Sequence, residues 1–165
     1  QTLVSSTVYN KGSINCCDFM ISVSCQGKPV QIAVNERPNL NLFLRELSKF
    51  ATLILYSAAT KNYVDEILPQ IDPMQRYFSK VYTRENCIKD ASGRLKKDYS
   101  IIESHPAQTL IVDDIQENFS DFKENGILIP PYKGEIEDDD LVRVLEIILA
   151  LSQLPDVRMR STFSI

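Results

Sequence analysis

The sequence predicts an α/β fold with an open, Rossmann-like and largely parallel sheet flanked by helices. Three observations carry this. Short apolar runs alternate with stretches of helical periodicity, as βαβ units require. The runs Thr52-Leu53-Ile54-Leu55-Tyr56 and Leu110-Ile111-Val112 are apolar on both faces, the pattern of strands buried between helices. Each ends in polar residues, Ser57 after the first and Asp113-Asp114 after the second, and in such sheets ligands bind outside the carboxyl ends of the strands.

With 165 residues and 44% apolar content, the chain is read as one domain over 1–165. The net charge of −4, with 18 basic residues spread thinly, argues against a large nucleic-acid footprint. No apolar run approaches the ~20 residues of a membrane span. Cys16, Cys17, Cys25 and Cys87 form no C-x-x-C pair, and His105 is the one histidine, poor material for a zinc site. The cysteines are expected in core or half-buried positions, in a reducing intracellular compartment, nuclear or cytoplasmic.

Phe19, Ile21, Val23 and Cys25 alternate with polar residues, as do Val30, Ile32 and Val34. With Gln26-Gly27-Lys28 between them they predict a β-hairpin. Leu40, Phe43, Leu44, Leu47 and Phe50 fall on one helical face, with Pro38 suited to the first turn. A buried strand from Thr52 to Tyr56 follows. A helix is expected from Thr60 to about Leu68, ended by Pro69, then a strand near Lys80 to Tyr82. Asp90-Ala91-Ser92-Gly93 is turn chemistry, so Cys87 to Leu95 reads as a small inserted hairpin. Strands at Thr109 to Val112 and Ile127 to Ile129 precede a helix from about Asp139 to Leu154, with Asp138 to Asp140 at the end where the helix dipole favours negative charge.

Ser57, Lys97 and Asp113-Asp114 succeed one another as a hydroxyl, an ammonium and a carboxylate pair. That set suits magnesium-dependent phosphoryl transfer, which needs charge neutralised and reacting atoms held in line. Hard carboxylate oxygens at a strand tip suit Mg²⁺, and small residues after Ser57 would let a phosphate approach the backbone. Taken singly, the aspartates also read as a solvated turn, Ser57 as a helix cap, and Lys97 as part of a charge cluster with Arg94, Lys96 and Asp98. A receiver domain uses the same groups in another order, acidic pair first and lysine last.

Gln1-Thr2-Leu3-Val4-Ser5-Ser6, Arg37-Pro38 with Phe43-Leu44, Leu55-Tyr56-Ser57-Ala58, Arg84-Glu85-Asn86-Cys87, Lys97-Asp98-Tyr99-Ser100 and Ile111-Val112-Asp113-Asp114 stand in order along the chain. From Gln1 to about Arg158 the sequence resembles the small CTD phosphatases. These are the FCP/SCP-type, NLI-interacting-factor-like serine/threonine phosphatases of the haloacid dehalogenase superfamily.

The resemblance implies a haloacid-dehalogenase-like fold with a β-hairpin cap, Mg²⁺ as cofactor, and a phosphorylated protein or peptide as substrate, such as the RNA polymerase II C-terminal domain. By it, Ser57 binds phosphate, Lys97 stabilises the phosphoryl group, Asp113 and Asp114 hold the metal, and Arg84 and Thr2 bind substrate. Family members open with Asp-x-Asp-x-Thr-Leu-Val, in which the first Asp attacks phosphorus and the second is general acid and base. Both are expected just upstream of Gln1, read as a boundary inside that motif. Other residues there would make the chain a pseudophosphatase, or a binding domain of the mitochondrial import receptor type.

Overall fold

Strand β1 (Val4–Val8) pairs antiparallel with β3 (Lys28–Glu36), which pairs antiparallel with β2 (Phe19–Cys25), giving the order β1-β3-β2. The structure, a computed structural model, describes residues 1–9, 16–90 and 92–159. The expected hairpin is β2–β3. Its two-residue link has φ 50° at Gln26 and 76° at Gly27, the paired left-handed conformations that a tight hairpin with right-twisted strands requires. The register sets Ile21 against Ile32 and Val23 against Val30. β1 continues from the Thr2-Leu3-Val4 motif although Val4-Ser5-Ser6-Thr7-Val8 lacks strict alternation, and its partner β3 is not its neighbour in sequence.

Helix α1 (Leu40–Leu47) buries Leu40, Phe43, Leu44 and Leu47, the spacing of one helical face. It stops before Phe50, which is 46% exposed. Pro38 lies ahead of the helix, whose N-cap is Asn39 at φ 67°. Strand β4 (Leu53–Tyr56) leads to helix α2 (Lys61–Ile71), which runs through Pro69 rather than ending there. Pro69 offers no N–H to the ladder, but Val64, Ile67 and Ile71 bury along one face, and the Asp72 amide donates to the Leu68 carbonyl at 2.8 Å. The buried Asp72 carboxylate then accepts the Arg76 and Tyr77 amides and turns the chain into β5 (Phe78–Tyr82), longer than expected and parallel to β4.

The insert forms a two-rung hairpin of β6 (Ile88–Lys89) and β7 (Leu95–Lys96), with Ile88 opposite Lys96; Ala91, in its turn, lies outside the described residues. Strand β8 (Ile111–Asp113) pairs parallel with β9 (Gly126–Leu128), and α3 (Asp140–Leu151) packs against α1. One apolar cluster reaches from Ile21 through Leu44, Ile129 and Leu141 to Val157. The cysteines depart from expectation. All four are free, but Cys16 and Cys25 are exposed, Cys25 because it ends β2 at the hairpin turn. Among the described residues no helix is long and apolar enough to cross a membrane.

The parallel part of the sheet falls into two pairs, β4 with β5 and β8 with β9. A cavity of about 1300 Å³ lies between them. Leu53 and Leu55 of β4 line one wall, Leu110 and Val112 the other, and Phe43 of α1 and Ile148 of α3 also line it. Among the described residues neither β4 nor β8 pairs across it. Thr2, Tyr56 and Lys97 also line it.

Candidate active site

Ser57 leaves β4 with its amide still bonded to the Tyr82 carbonyl at 2.9 Å, so the strand ladder aims the side chain. Its Oγ accepts the Ala59 amide at 3.1 Å, tightening the turn ahead of α2. Arg84 holds the same turn from β5's side: its amide donates to the Ala59 carbonyl at 2.8 Å and its Nε to the Ala58 carbonyl at 2.9 Å. The sequence marked Arg84 as a substrate ligand; in the structure it also braces the loop that presents Ser57.

Lys97 follows β7 and turns inward. Its Nζ lies 2.6 Å from Asp113 Oδ2 and 5.8 Å from the centroid of the Tyr56 ring. It is therefore no member of a solvated cluster; Lys96 pairs separately with Asp121, and Arg94 with Asp90.

Asp113 ends β8 and is buried. Oδ1 accepts the Ile115 amide and Asn118 Nδ2, both at 2.9 Å, and Oδ2 accepts Lys97 and, at 3.1 Å, Asn118. A carboxylate has about four lone-pair sites, so protein donors fill this one. Asn118 lies in a 3₁₀ segment, Gln116–Phe122, and sequence reasoning missed it, because a single Asn in a polar loop carries no pattern.

Asp114 faces the other way. Its Oδ1 accepts the Thr2 hydroxyl at 2.7 Å, and both of its oxygens lie 2.8 Å from the Gln1 main-chain nitrogen. The Thr2 carbonyl is in turn held at 3.2 Å by Arg37. Burial pushes the Cys87 thiol up against the opposing influence of Tyr56, Lys97 and Arg84, so it stays protonated at neutral pH. His105 lines the same cavity and caps a short turn by accepting the Ala107 amide.

An unbroken run of contacts thus joins Arg84 to the Ser57 loop, Tyr56 to Lys97, Lys97 to Asp113, and Asp114 to Thr2. The donor set fits a hard cation: Asp114 offers carboxylate oxygen beside Thr2, and Mg²⁺ needs one or two carboxylates, completing its sphere with water and phosphate.

A family model described as NLI interacting factor-like phosphatase matches residues 1–158. Nuclear envelope morphology protein 1 of Schizosaccharomyces pombe is 31% identical over 160 residues, covering 96% of this chain and 33% of that protein. The CTD nuclear envelope phosphatase 1 homolog of Caenorhabditis elegans is 28% identical over 141 residues, covering 86% of this chain and 57% of that protein. The chain therefore spans between a third and somewhat over half of these relatives. The solved structure of Fcp1, described as an essential RNA polymerase II CTD phosphatase, superposes with a TM-score of 0.65 at 23% identity, covering 88% of this chain and 46% of that one. This likeness extends to the haloacid-dehalogenase-like fold. With its model matched across nearly its whole length, the chain belongs to the NLI interacting factor-like phosphatase family.

Proposed function

We propose that this chain is the catalytic domain of a Mg²⁺-dependent protein phosphatase acting on phosphoserine or phosphothreonine. One observation carries the reading: Lys97 and Thr2 stand on a cavity whose walls are two strand edges without partners among the described residues, and Ser57, Asp113 and Asp114 extend the strands of those walls. An extended segment entering between β4 and β8 would meet Gln1 and Thr2 beside Asp114. The reading takes its Asp-x-Asp, ahead of Thr2-Leu3-Val4, from the family resemblance.

The first aspartate attacks phosphorus, forming an acyl phosphate as the bond to the serine or threonine oxygen breaks. The second gives that oxygen its proton. It then takes a proton from water, whose oxygen attacks phosphorus and releases inorganic phosphate and the free carboxylate. The Ser57 hydroxyl donates to a phosphoryl oxygen, and Lys97 offsets the charge of the group. Mg²⁺, held at Asp114, supplies further charge neutralisation when bound. Asp113 fixes Lys97.

The insert of β6 and β7 is too small to close over the cleft, which supports an extended phosphopeptide as substrate, of which the RNA polymerase II C-terminal domain is one example. Arg84 and Thr2 would bind it. The nuclear envelope in the names of the relatives supports a nuclear setting. An assay of the intact protein with Mg²⁺ against phosphopeptides, sugar phosphates and nucleotides tests the proposal. Preferential release of phosphate from the peptides is expected. Preference for small phosphometabolites overturns the peptide reading, and absence of turnover favours a binding role.

A further inference from the structure

The Tyr56 hydroxyl has no part in the phosphoryl chemistry above, yet it is engaged twice. It donates to the Asn86 carbonyl at 2.7 Å and accepts the Asp98 amide at 3.0 Å. Asn86 is the residue just before segment 87–97, which carries β6 and β7, and Asp98 is the residue just after it. One phenol oxygen at the tip of β4 thus clasps both roots of the insert. Lys97 is the last residue of that segment.

The hairpin needs such a clasp. Its ladder pairs Ile88 with Lys96 and Lys89 with Leu95 and is closed by the Asp90 amide on the Arg94 carbonyl at 2.9 Å, and a two-stranded hairpin this short is marginal at best in water by itself. The Tyr56 ring is itself fixed. It packs at 5.4 Å on Tyr82 of β5 and at 5.6 Å on Tyr99, just beyond Lys97. Tyr99 continues the stack at 6.1 Å to Phe122, in the 3₁₀ segment that supplies Asn118 to Asp113. The groups that set the two ends of the Lys97–Asp113 pair therefore meet in one aromatic row.

We propose that Tyr56 is a positioning residue: by pinning both roots of the hairpin insert to the tip of β4, its hydroxyl holds the Lys97 backbone where Nζ reaches the phosphoryl site. This rests on the phosphatase reading for its catalytic consequence alone.

Tyr56→Phe keeps the ring stack and removes both hydrogen bonds. Made in the intact protein, it is followed by two measurements. In hydrogen exchange, the amides of β6, β7 and Asp98 should exchange about tenfold faster while those of α1 and α3 are unchanged, since a lost hydrogen bond shifts a local opening equilibrium by that order. In kinetics on a phosphopeptide, Tyr56→Phe should lower kcat about tenfold with little change in KM. It should have almost no further effect in a Lys97→Ala background, as expected for residues acting as a unit. Unchanged exchange in the hairpin overturns the proposal, and so does an equal loss of kcat in both backgrounds. A wild-type protein inert toward every phosphopeptide refutes the phosphatase reading instead, and the exchange result then decides the role of Tyr56.

Discussion

Lys97 and Asp113 form an ion pair at 2.6 Å between side chains only 12% and 2% exposed. A pair this dry holds only when the remaining lone pairs are also satisfied, and the Ile115 amide and Asn118 do this. The lysine is thereby kept at one place in the cleft, and its loss has two consequences. Lys97→Ala should lower turnover by about 100-fold, the scale of one preorganised electrostatic contact. It should also cost about 3 kcal/mol of stability, because it leaves a buried carboxylate short of a partner. Steady-state kinetics and urea unfolding check the two effects separately. Near-normal turnover would shift the role to Lys96 or Arg94.

The two aspartates should separate in metal binding. The sequence reading centred the ion on Asp113, with Asp114 reaching it directly or through water; Asp113 takes its donors from Lys97, Ile115 and Asn118 in the interior, whereas the one side-chain donor on Asp114 among the described residues is the Thr2 hydroxyl, at the cavity. Asp114→Ala should lower Mg²⁺ affinity by about 100-fold or more, and Asp113→Asn by about tenfold, the scale for a residue that acts through its neighbours. Titration calorimetry on the intact protein measures both, and unchanged affinity in Asp114→Ala would sink the assignment.

Arg37 is 1% exposed, and each of its five N–H groups has a partner: Asp138 twice, Asp140, and the carbonyls of Thr2 and Pro130. Arg37→Met should therefore cost about 3–5 kcal/mol and lower Tm by roughly 10 °C for a domain of this size. Arg37→Lys should rescue little, since an ammonium cannot reproduce a planar fork. Thermal unfolding of both variants decides this, and wild-type stability in Arg37→Lys would show that charge alone matters.

Asp90 organises the turn of the insert. The Ser92 hydroxyl, then the Arg94 amide, hold its pKa down from 3.8 to about 2. A depressed carboxylate stabilises the native turn above the unfolded value, and that contribution is lost as pH falls through the folded one. The turn should thus stay intact at pH 4 and loosen as pH approaches about 2. Chemical-shift titration of the Asp90 carboxyl and the Ser92 amide follows the transition. A midpoint near the ordinary value would show that these hydrogen bonds do not hold in solution.

Much of the local structure was legible. The spacing from Leu40 to Leu47 foretold α1 because a helix face is a local property, and Gln26-Gly27 foretold its hairpin because few residues tolerate positive φ. Pro69 misled, since burial of Ile71 outweighed the loss of one ladder bond. Asp138 and Asp140 stand at the start of α3 as the sequence indicated, Asp138 accepting the Asp140 amide at 3.1 Å, but they are also bound to a buried arginine a hundred residues away, which no local pattern shows.

By itself the sequence determined which residue types stand at the ends of β4 and β8, and in what order, because strand and helix patterns are written at intervals of two and of three or four residues. Only the tertiary structure decided what each does. That Asp113 is filled by Asn118 and Lys97 while Asp114 turns to Thr2, that Arg37 ties β3 to the start of α3, and that Tyr56 clasps the insert are contacts between residues up to 112 positions apart. No local periodicity encodes such contacts. They follow from burial, which leaves each polar group in the interior to find its partner wherever packing has brought one.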